Sequence, residues 1–276
     1  MSQYRVAAIQ MVSSAEVDAN LHEAARLINE AAQFGAELVV LPENFAQMAM
    51  YPKQTVQIRE LPQAGPLQEF LSQQAARHRL WLVGGSLPLV ANHDNKYRSA
   101  CLLFDNTGQC VARYDKIHLF DVTTTSGENY CESEVIEAGN QVVVAQTPFG
   151  RLGLAICYDL RFPELFRSML NEGVDLLAVP AAFTAVTGKA HWEILLQVRA
   201  VENLCYVIAA NQGGYHANKR ETYGNSMIVD PWGIVMTRLI QGSGVVYVDI
   251  SREKQENLRL RFPALSHRRI HCQSLV

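Results

Sequence analysis

Three residues stand out because each sits where a strand-like pattern ends. Cys157 follows the apolar run Gly153 to Ile156 and precedes Pro163-Glu164. Its thiol is therefore expected at the carboxyl end of a strand and before a helix, where α/β sheets keep their sites. A free thiol, with a pKa of about 8.5, is largely protonated at neutral pH, so a nucleophilic cysteine needs a base, a cation or helix amides beside it. On position alone, a cysteine in such a strand is more often a small core residue. Glu43 directly follows Val39-Val40-Leu41-Pro42. A carboxylate held near a thiol can take its proton, whereas a lone one after a strand is simply solvated. Lys116 lies in Arg113-Tyr114-Asp115-Lys116-Ile117-His118-Leu119, where strand-like alternation gives way to a loop. Placed beside a thiol it would favour the thiolate and stabilise a developing oxyanion; otherwise it is one more surface lysine.

Histidine offers the competing arrangement, a Cys-His enzyme of protease type, with His118 and His191 as candidates. His118 is two residues from Lys116, which puts both on one strand face, but neither histidine has a diagnostic local motif. His267 and His271 have helical i, i+4 spacing in an Arg-rich tail without a nearby acidic motif, so no metal site is expected. The polar stretch Thr123 to Ser126 with Gly127 reads as a loop that covers the site. It lacks the glycine spacing and lysine of a phosphate-binding loop.

The elements that must position these residues follow from length and pattern. The 276 residues carry 24 Lys plus Arg against 27 Asp plus Glu, without the basic excess that non-specific nucleic-acid binding needs. No apolar run approaches the roughly 20 residues of a membrane span. Strand-like sequence begins at Tyr4 with no leader before it, and six cysteines show no Cys-x-x-Cys pair, so a cytoplasmic protein with reduced thiols is expected. A single domain is expected, with a core over about 4–250 and a tail from about 251. Strand 6–11, helix 20–34 closed by Gly35, and strand 38–41 form one unit, followed by a helix from Pro66 and a strand at 80–83. A hairpin turns at Asp105-Asn106-Thr107-Gly108. The second half echoes the first, with strand 152–156, helix 163–171 stopped by Gly173, and strand 176–179 ending at Pro180. Helix 190–204 and strands near 206–210, 227–229, 234–237 and 245–249 complete an α/β pattern of two mixed sheets with outer helices.

The segments Leu41-Pro42-Glu43, Asp115-Lys116-Ile117-His118-Leu119 and Gly153 to Glu164, in this order, resemble the nitrilase, or carbon-nitrogen hydrolase, superfamily, over about residues 4–270. The resemblance implies a four-layer α-β-β-α sandwich and hydrolysis of a non-peptide C–N bond through a cysteine acyl-enzyme, with no metal or organic cofactor. It makes Cys157 the nucleophile, Glu43 the general base and Lys116 the oxyanion-stabilising cation, aided by the backbone N–H of Tyr158. Glu132, in Cys131-Glu132-Ser133, would be a fourth member, although Glu128 and Glu134 are acids that spacing does not dismiss. The context Cys157-Tyr158-Asp159 differs from the Cys-Trp-Glu of true nitrilases. It is shared by omega-amidases, which act on 2-oxoglutaramate, and by deaminated-glutathione amidases. Segments 182–193 and 223–233 are similar to the second group.

Both substrate classes carry a carboxylate near the scissile amide, and an arginine fork matches two carboxylate oxygens. Arg161 is the candidate clamp; the alternative is that it pairs with Asp159 or Glu164 and holds the loop. Phe183 and Thr184 are expected to line the pocket. Trp192, Leu195, Leu196 and the tail from Arg259 to Arg269 resemble subunit contacts, implying a homodimer. A different class of reading keeps the fold for a non-catalytic binding or signalling role; the intact Glu43, Lys116 and Cys157 argue against it.

Overall fold

The computed structural model describes residues 3–124, 127 and 129–270. In chain order the first half supplies strands β1 (Gln3–Gln10), β2 (Leu38–Val40), β3 (Trp81–Val83), β4 (Leu87–Val90), β5 (Tyr97–Phe104) and β6 (Cys110–Asp115). Its helices are α1 (Val17–Gln33), α2 (Pro52–Gln57) and α3 (Pro66–His78). A small hairpin, β7 (Asp121–Thr123) and β8 (Asn129–Cys131), precedes the second half. There β9 (Val144–Thr147), β10 (Gly150–Leu154), β11 (Leu176–Ala181), β12 (Tyr206–Asn211), β13 (Ser226–Val229) and β14 (Val235–Leu239) alternate with α4 (Pro163–Asn171) and α5 (Ala185–Asn203). Strand β15 (Gly244–Ser251) and helix α6 (Arg252–Arg261) follow.

The first sheet has the order β15-β1-β2-β3-β5-β4, with β6 also paired to β5, and the second β14-β13-β12-β11-β10-β9. Each contains a parallel trio, β1-β2-β3 and β10-β11-β12, extended by antiparallel strands. Strand residues alternate between faces. Val6, Ala8, Leu38, Val40 and Val83 share a core with the second sheet, whereas Ala7, Ile9, Val39, Leu41 and Leu82 meet Ala24, Leu27 and Ile28 of α1 and Leu71 and Ala75 of α3. Leu165 and Phe166 of α4 and Trp192 and Leu196 of α5 pack on the second sheet. The layers therefore run α-β-β-α, as expected.

Strand β15 pairs antiparallel with β1 along its whole length, from Gln3↔Ser251 to Gln10↔Gly244. Its alternation is visible in the sequence, but its partner is at the other end of the chain. Residues 252–261, expected as the start of a tail, form α6. Gln255 donates to the carbonyls of Asp175 (2.8 Å) and Leu204 (3.0 Å), and Arg259 reaches the Asp175 carboxylate at 2.8 Å. Two of the residues expected at a subunit contact, Trp192 and Leu196, point inward instead. Trp192 and Leu196 are fully buried in their own core and Arg259 is engaged within its own chain. No helix among the described residues is long and apolar enough to cross a membrane.

Candidate active site

The carboxyl ends of β2, β6, β10 and β11 converge, and each delivers one component. Beyond β2, the Leu41-Pro42-Glu43 turn is packed against Gly85, where an added Cβ would lie 2.2 Å from the Pro42 carbonyl oxygen. Only glycine fits there, and its φ of +62° suits glycine. Lys116 is the first residue past β6, fixed by backbone hydrogen bonds to Ser99 and from Gly139. Lys116 and His118 thus lie in a loop and not on a common strand face. Cys157 opens a short 3-10 turn after β10, in a left-handed conformation (φ +48°) that is costly for a side-chain-bearing residue.

These residues meet in the interior. The Lys116 ammonium donates to Glu43 Oε1 at 2.8 Å and to Glu132 Oε1 and Oε2 at 2.9 and 2.8 Å. Glu43 Oε2 accepts the Ala182 N–H, at the end of β11, at 2.8 Å. The Cys157 thiol lies close enough to Glu43, Lys116 and the Ala182 N–H for each to act on its ionisation. Glu132 also accepts the Phe120 N–H at 2.8 Å, which ties the hairpin to the cluster. Of the acids that spacing left open, Glu134 is solvent-exposed and Glu128 lies outside the described residues.

The charges order themselves. Burial alone would raise the Glu43 carboxyl, but the Lys116 charge and hydrogen bond, aided by the Cys157 thiol, hold it below its ordinary 4.5. Burial would lower the Lys116 ammonium, yet Glu132 and Glu43 hold it well above its usual range. Burial, reinforced by Glu43, pushes the Cys157 thiol well above its usual value despite Lys116. At neutral pH the resting state is therefore a neutral thiol beside an ionised carboxylate and an ammonium. That combination can transfer the thiol proton to the carboxylate as the sulfur attacks an electrophile.

The flanking residues separate the sequence alternatives. His118 is turned away from the thiol: its backbone N–H and Nδ1 both bond Asp159 Oδ1, at 3.0 and 2.7 Å, and its ring stacks on Phe162. His191 sits 3.2 Å from an Arg161 guanidinium nitrogen. The Cys-His arrangement is thus replaced by a Cys-Glu one. Asp159 also receives the Tyr114 hydroxyl (2.7 Å) and the Ile156 N–H (2.9 Å), so this fully buried carboxylate links the cysteine turn to the lysine segment. Its neighbours leave no room for the Arg161–Asp159 pair considered from sequence. Arg161 instead lies over the rings of Tyr158 and Phe183, 5.7 and 5.2 Å from their centroids. With Cys157, Thr184 and Thr187 these residues line a tight slot of about 10 Å³.

Thr184 also caps α5, which starts at Ala185, ahead of the expected position 190. A larger cavity, about 410 Å³, adjoins the slot; Glu132, Phe120 and Arg220 line both. Asp159, Ala182 and Arg220 carry no spacing signal: each acts through a partner distant in the chain. Among the described residues no group of His, Cys, Asp and Glu is placed to hold a metal ion, and His271 of the His267–His271 pair lies outside them.

Comparison with known proteins places this geometry. The carbon-nitrogen hydrolase family profile matches residues 5–260. A deaminated glutathione amidase from Synechocystis is 44% identical over 272 residues, spanning 97% of this chain and 99% of that one. The Homo sapiens protein of the same name is 40% identical, over 96% of this chain and 82% of its own. Among solved structures, Saccharomyces cerevisiae Nit3, described as a member of branch 10 of the nitrilase superfamily, superposes with a TM-score of 0.87 at 30% identity and 97% coverage of both chains. The Caenorhabditis elegans NitFhit protein gives 0.89 at 36% identity, over 98% of this chain and 66% of that one. A buried cysteine, glutamate and lysine at converging strand ends, on this four-layer frame and within this match, establish that the chain belongs to the carbon-nitrogen hydrolase family and is an amide-cleaving enzyme.

Proposed function

We propose that the chain hydrolyses the amide of deaminated glutathione to 2-oxoglutarate and cysteinylglycine through a thioester on Cys157. The observation that carries this reading is the single buried cluster of Cys157, Glu43, Lys116 and Glu132. It occurs in a chain 39–44% identical to deaminated glutathione amidases from a cyanobacterium, Yersinia enterocolitica and mammals.

In the first half-reaction the Cys157 sulfur bonds to the amide carbon while Glu43 takes the thiol proton. Lys116 and the Tyr158 backbone N–H receive the charge on oxygen. The C–N bond then breaks and Glu43 returns the proton to the departing amine. In the second, Glu43 takes a proton from water, whose oxygen attacks the thioester, and the thiol is regenerated as the acid leaves. Glu132 holds the lysine between the two carboxylates. Arg161, held over the rings of Tyr158 and Phe183, is the group for the keto-acid carboxylate, with Phe183 and Thr184 beside it; the slot has room for about one water, so the acyl chain extends into the adjoining cavity of about 410 Å³ that Glu43 and Glu132 line. The exposed, unbridged thiols of Cys110 and Cys131 support a reducing, cytoplasmic setting. Exposed Ile194, Val198 and Val201 on the outer face of α5 support a homodimer.

The test is 2-oxoglutarate formation from deaminated glutathione and from 2-oxoglutaramate, side by side. A clear preference for the first is expected; preference for the second would make the chain an omega-amidase. In the same assay Arg161→Ala should raise KM for either keto-acid amide about tenfold or more, and far more than for a neutral amide. Equal effects on both would remove Arg161 from carboxylate binding.

The charge order also fixes a pH profile. Glu43 must be ionised to act as base, and its pKa is held below 4.5, so kcat/KM should fall on the acid side only below that pH. The neutral thiol and the charged ammonium persist beyond the ordinary thiol value of 9.0, so no inflection is expected between 5 and 9. A pH titration of kcat/KM with an inflection near 7 would contradict the charge assignment.

A further inference from the structure

Strand β12 lies beside β11 in the parallel trio of the second sheet, yet it delivers no reacting group to the site. Its apolar run Val207 to Ala210 gives way instead to two amides, Asn211 and Gln212, both fully buried. Buried amides in an apolar sandwich are costly unless their polar atoms are paired. Here they are. Asn211 Oδ1 accepts the Phe183 N–H at 2.9 Å, and its Nδ2 donates to the Gly224 carbonyl at 2.6 Å. Gln212 Oε1 accepts the Ser13 N–H at 3.0 Å, while its Nε2 donates to the Ser13 hydroxyl at 2.8 Å and to the Glu43 backbone carbonyl at 3.0 Å. A backbone N–H only donates and a carbonyl only accepts, so the Gln212 amide has a single allowed orientation.

These bonds close on Glu43 from both ends. At the main-chain end Gln212 holds the Glu43 carbonyl directly, and Ser13 Oγ donates to the Phe45 carbonyl at 2.9 Å. Asn44, between those two carbonyls, is in the left-handed region with φ +57°, a conformation that surrounding contacts must hold in place. At the carboxylate end Glu43 Oε2 accepts the Ala182 N–H. The neighbours of Ala182 are tied to the same two amide residues: the Ala181 carbonyl accepts the Gln212 backbone N–H at 3.0 Å, and the Phe183 N–H donates to Asn211. One strand end therefore fixes both where the Glu43 backbone lies and where its carboxylate points.

We propose that Gln212, assisted by Asn211, is a positioning residue for the general base Glu43. Both amides are sealed in the interior and act only through the groups they hold. The proposal rests on the reading of Glu43 as the base and deepens it. A carboxylate that serves the thiol, the departing amine and water in turn must return to one place each time, and a displacement of about 1 Å can cost about a hundredfold in rate.

The test on the full chain compares Gln212→Met with Gln255→Met. Each removes a buried amide whose nitrogen makes two hydrogen bonds, but Gln255 is in α6 and donates to the Asp175 and Leu204 carbonyls. Both variants should lose stability in chemical denaturation. Only Gln212→Met should lose kcat, about tenfold or more, with KM for the keto-acid amide little changed. Equal kcat in the two variants, or a loss confined to KM, would overturn the proposal. A second readout is the rate at which iodoacetamide alkylates Cys157, followed by mass spectrometry, which needs a base for the thiol proton and no substrate. A displaced base slows it several-fold, whereas a merely loosened fold exposes the thiol and speeds it. An unchanged or faster rate in Gln212→Met would therefore also overturn the proposal.

Should Gln212→Met fail to fold, Gln212→Glu decides. Protonated, the introduced carboxyl can accept from Ser13 and donate to the Glu43 carbonyl; ionised, it cannot donate. Burial beside Glu43 raises its pKa, so kcat/KM should fall several-fold as pH rises between 5 and 9, where wild type is expected to be flat. A flat profile in this variant counts against the positioning role. Glu43→Gln in the same assays separates two failures. If it keeps wild-type kcat, the base assignment falls and the proposal with it; if it loses activity while Gln212→Met does not, only the positioning falls.

Discussion

Cys157→Ala is expected to lower kcat by a factor on the order of 10⁶, as removal of a covalent nucleophile does elsewhere, while leaving the protein folded. The first part follows from the chemistry: neither Glu43 nor Lys116 offers a replacement nucleophile, so only direct attack by water remains. The second follows from the resting charges. The thiol is neutral in the ground state, held so by burial and by Glu43, and its removal leaves the Lys116 ion pairs with Glu43 and Glu132 intact. Alanine also tolerates the left-handed backbone at this position no worse than cysteine does, since both carry a Cβ. Acid-quenched mass spectrometry of the working enzyme should find the acyl adduct in wild type and not in the variant. Turnover above about a hundredth of wild type, or an adduct elsewhere in the chain, would show that another residue attacks the substrate.

Lys116→Met is expected to cost both activity and about 3–5 kcal/mol of stability, the usual consequence of removing one partner from a buried ion pair. The lysine side chain is fully buried, Glu43 is 4% exposed and Glu132 24%, so its loss leaves two carboxylates facing each other with little solvent. The pH dependence should change with it. In wild type the Glu43 pKa is lowered by folding, so its contribution is fully present above the ordinary carboxylate value and is lost as pH falls through the folded value. Without the lysine, burial and the second carboxylate raise a carboxyl pKa in the folded state, which then holds the extra proton. Stability should now fall as pH rises through that raised value. Chemical denaturation at pH 5 and pH 8 distinguishes the cases: the variant is more stable at pH 5, while wild type is not. Adding Glu132→Gln to Lys116→Met should recover part of the loss, because it removes one of the unpaired charges. A variant whose stability does not depend on pH over this window would mean that the cluster is better hydrated than its burial implies.

The sequence by itself determined the layers and which residues could react. The unbroken apolar runs Val6 to Ile9 and Leu38 to Leu41 fix strands with two buried faces. The apolar spacing in α1 and α4, each ended by glycine, fixes the helices between them. Glu43, Lys116 and Cys157 were legible because each sits where a local pattern breaks at a strand end, and local patterns are what a linear chain displays. Glu132 was narrower than a guess only through its Cys131-Glu132-Ser133 context; its selection over Glu134 came from its reach to Lys116. What only the tertiary structure decided depends on partners far apart in sequence. Strand β15 closes the first sheet against β1, Asp159 joins the cysteine turn to Tyr114 and His118, and the Ala182 N–H meets Glu43. Arg220 enters a wall of the site from a loop with no strand-end signature. Hydrogen bonds and charge pairs of this kind are set by distance and direction across the packed sheets, and no periodicity in the chain encodes them.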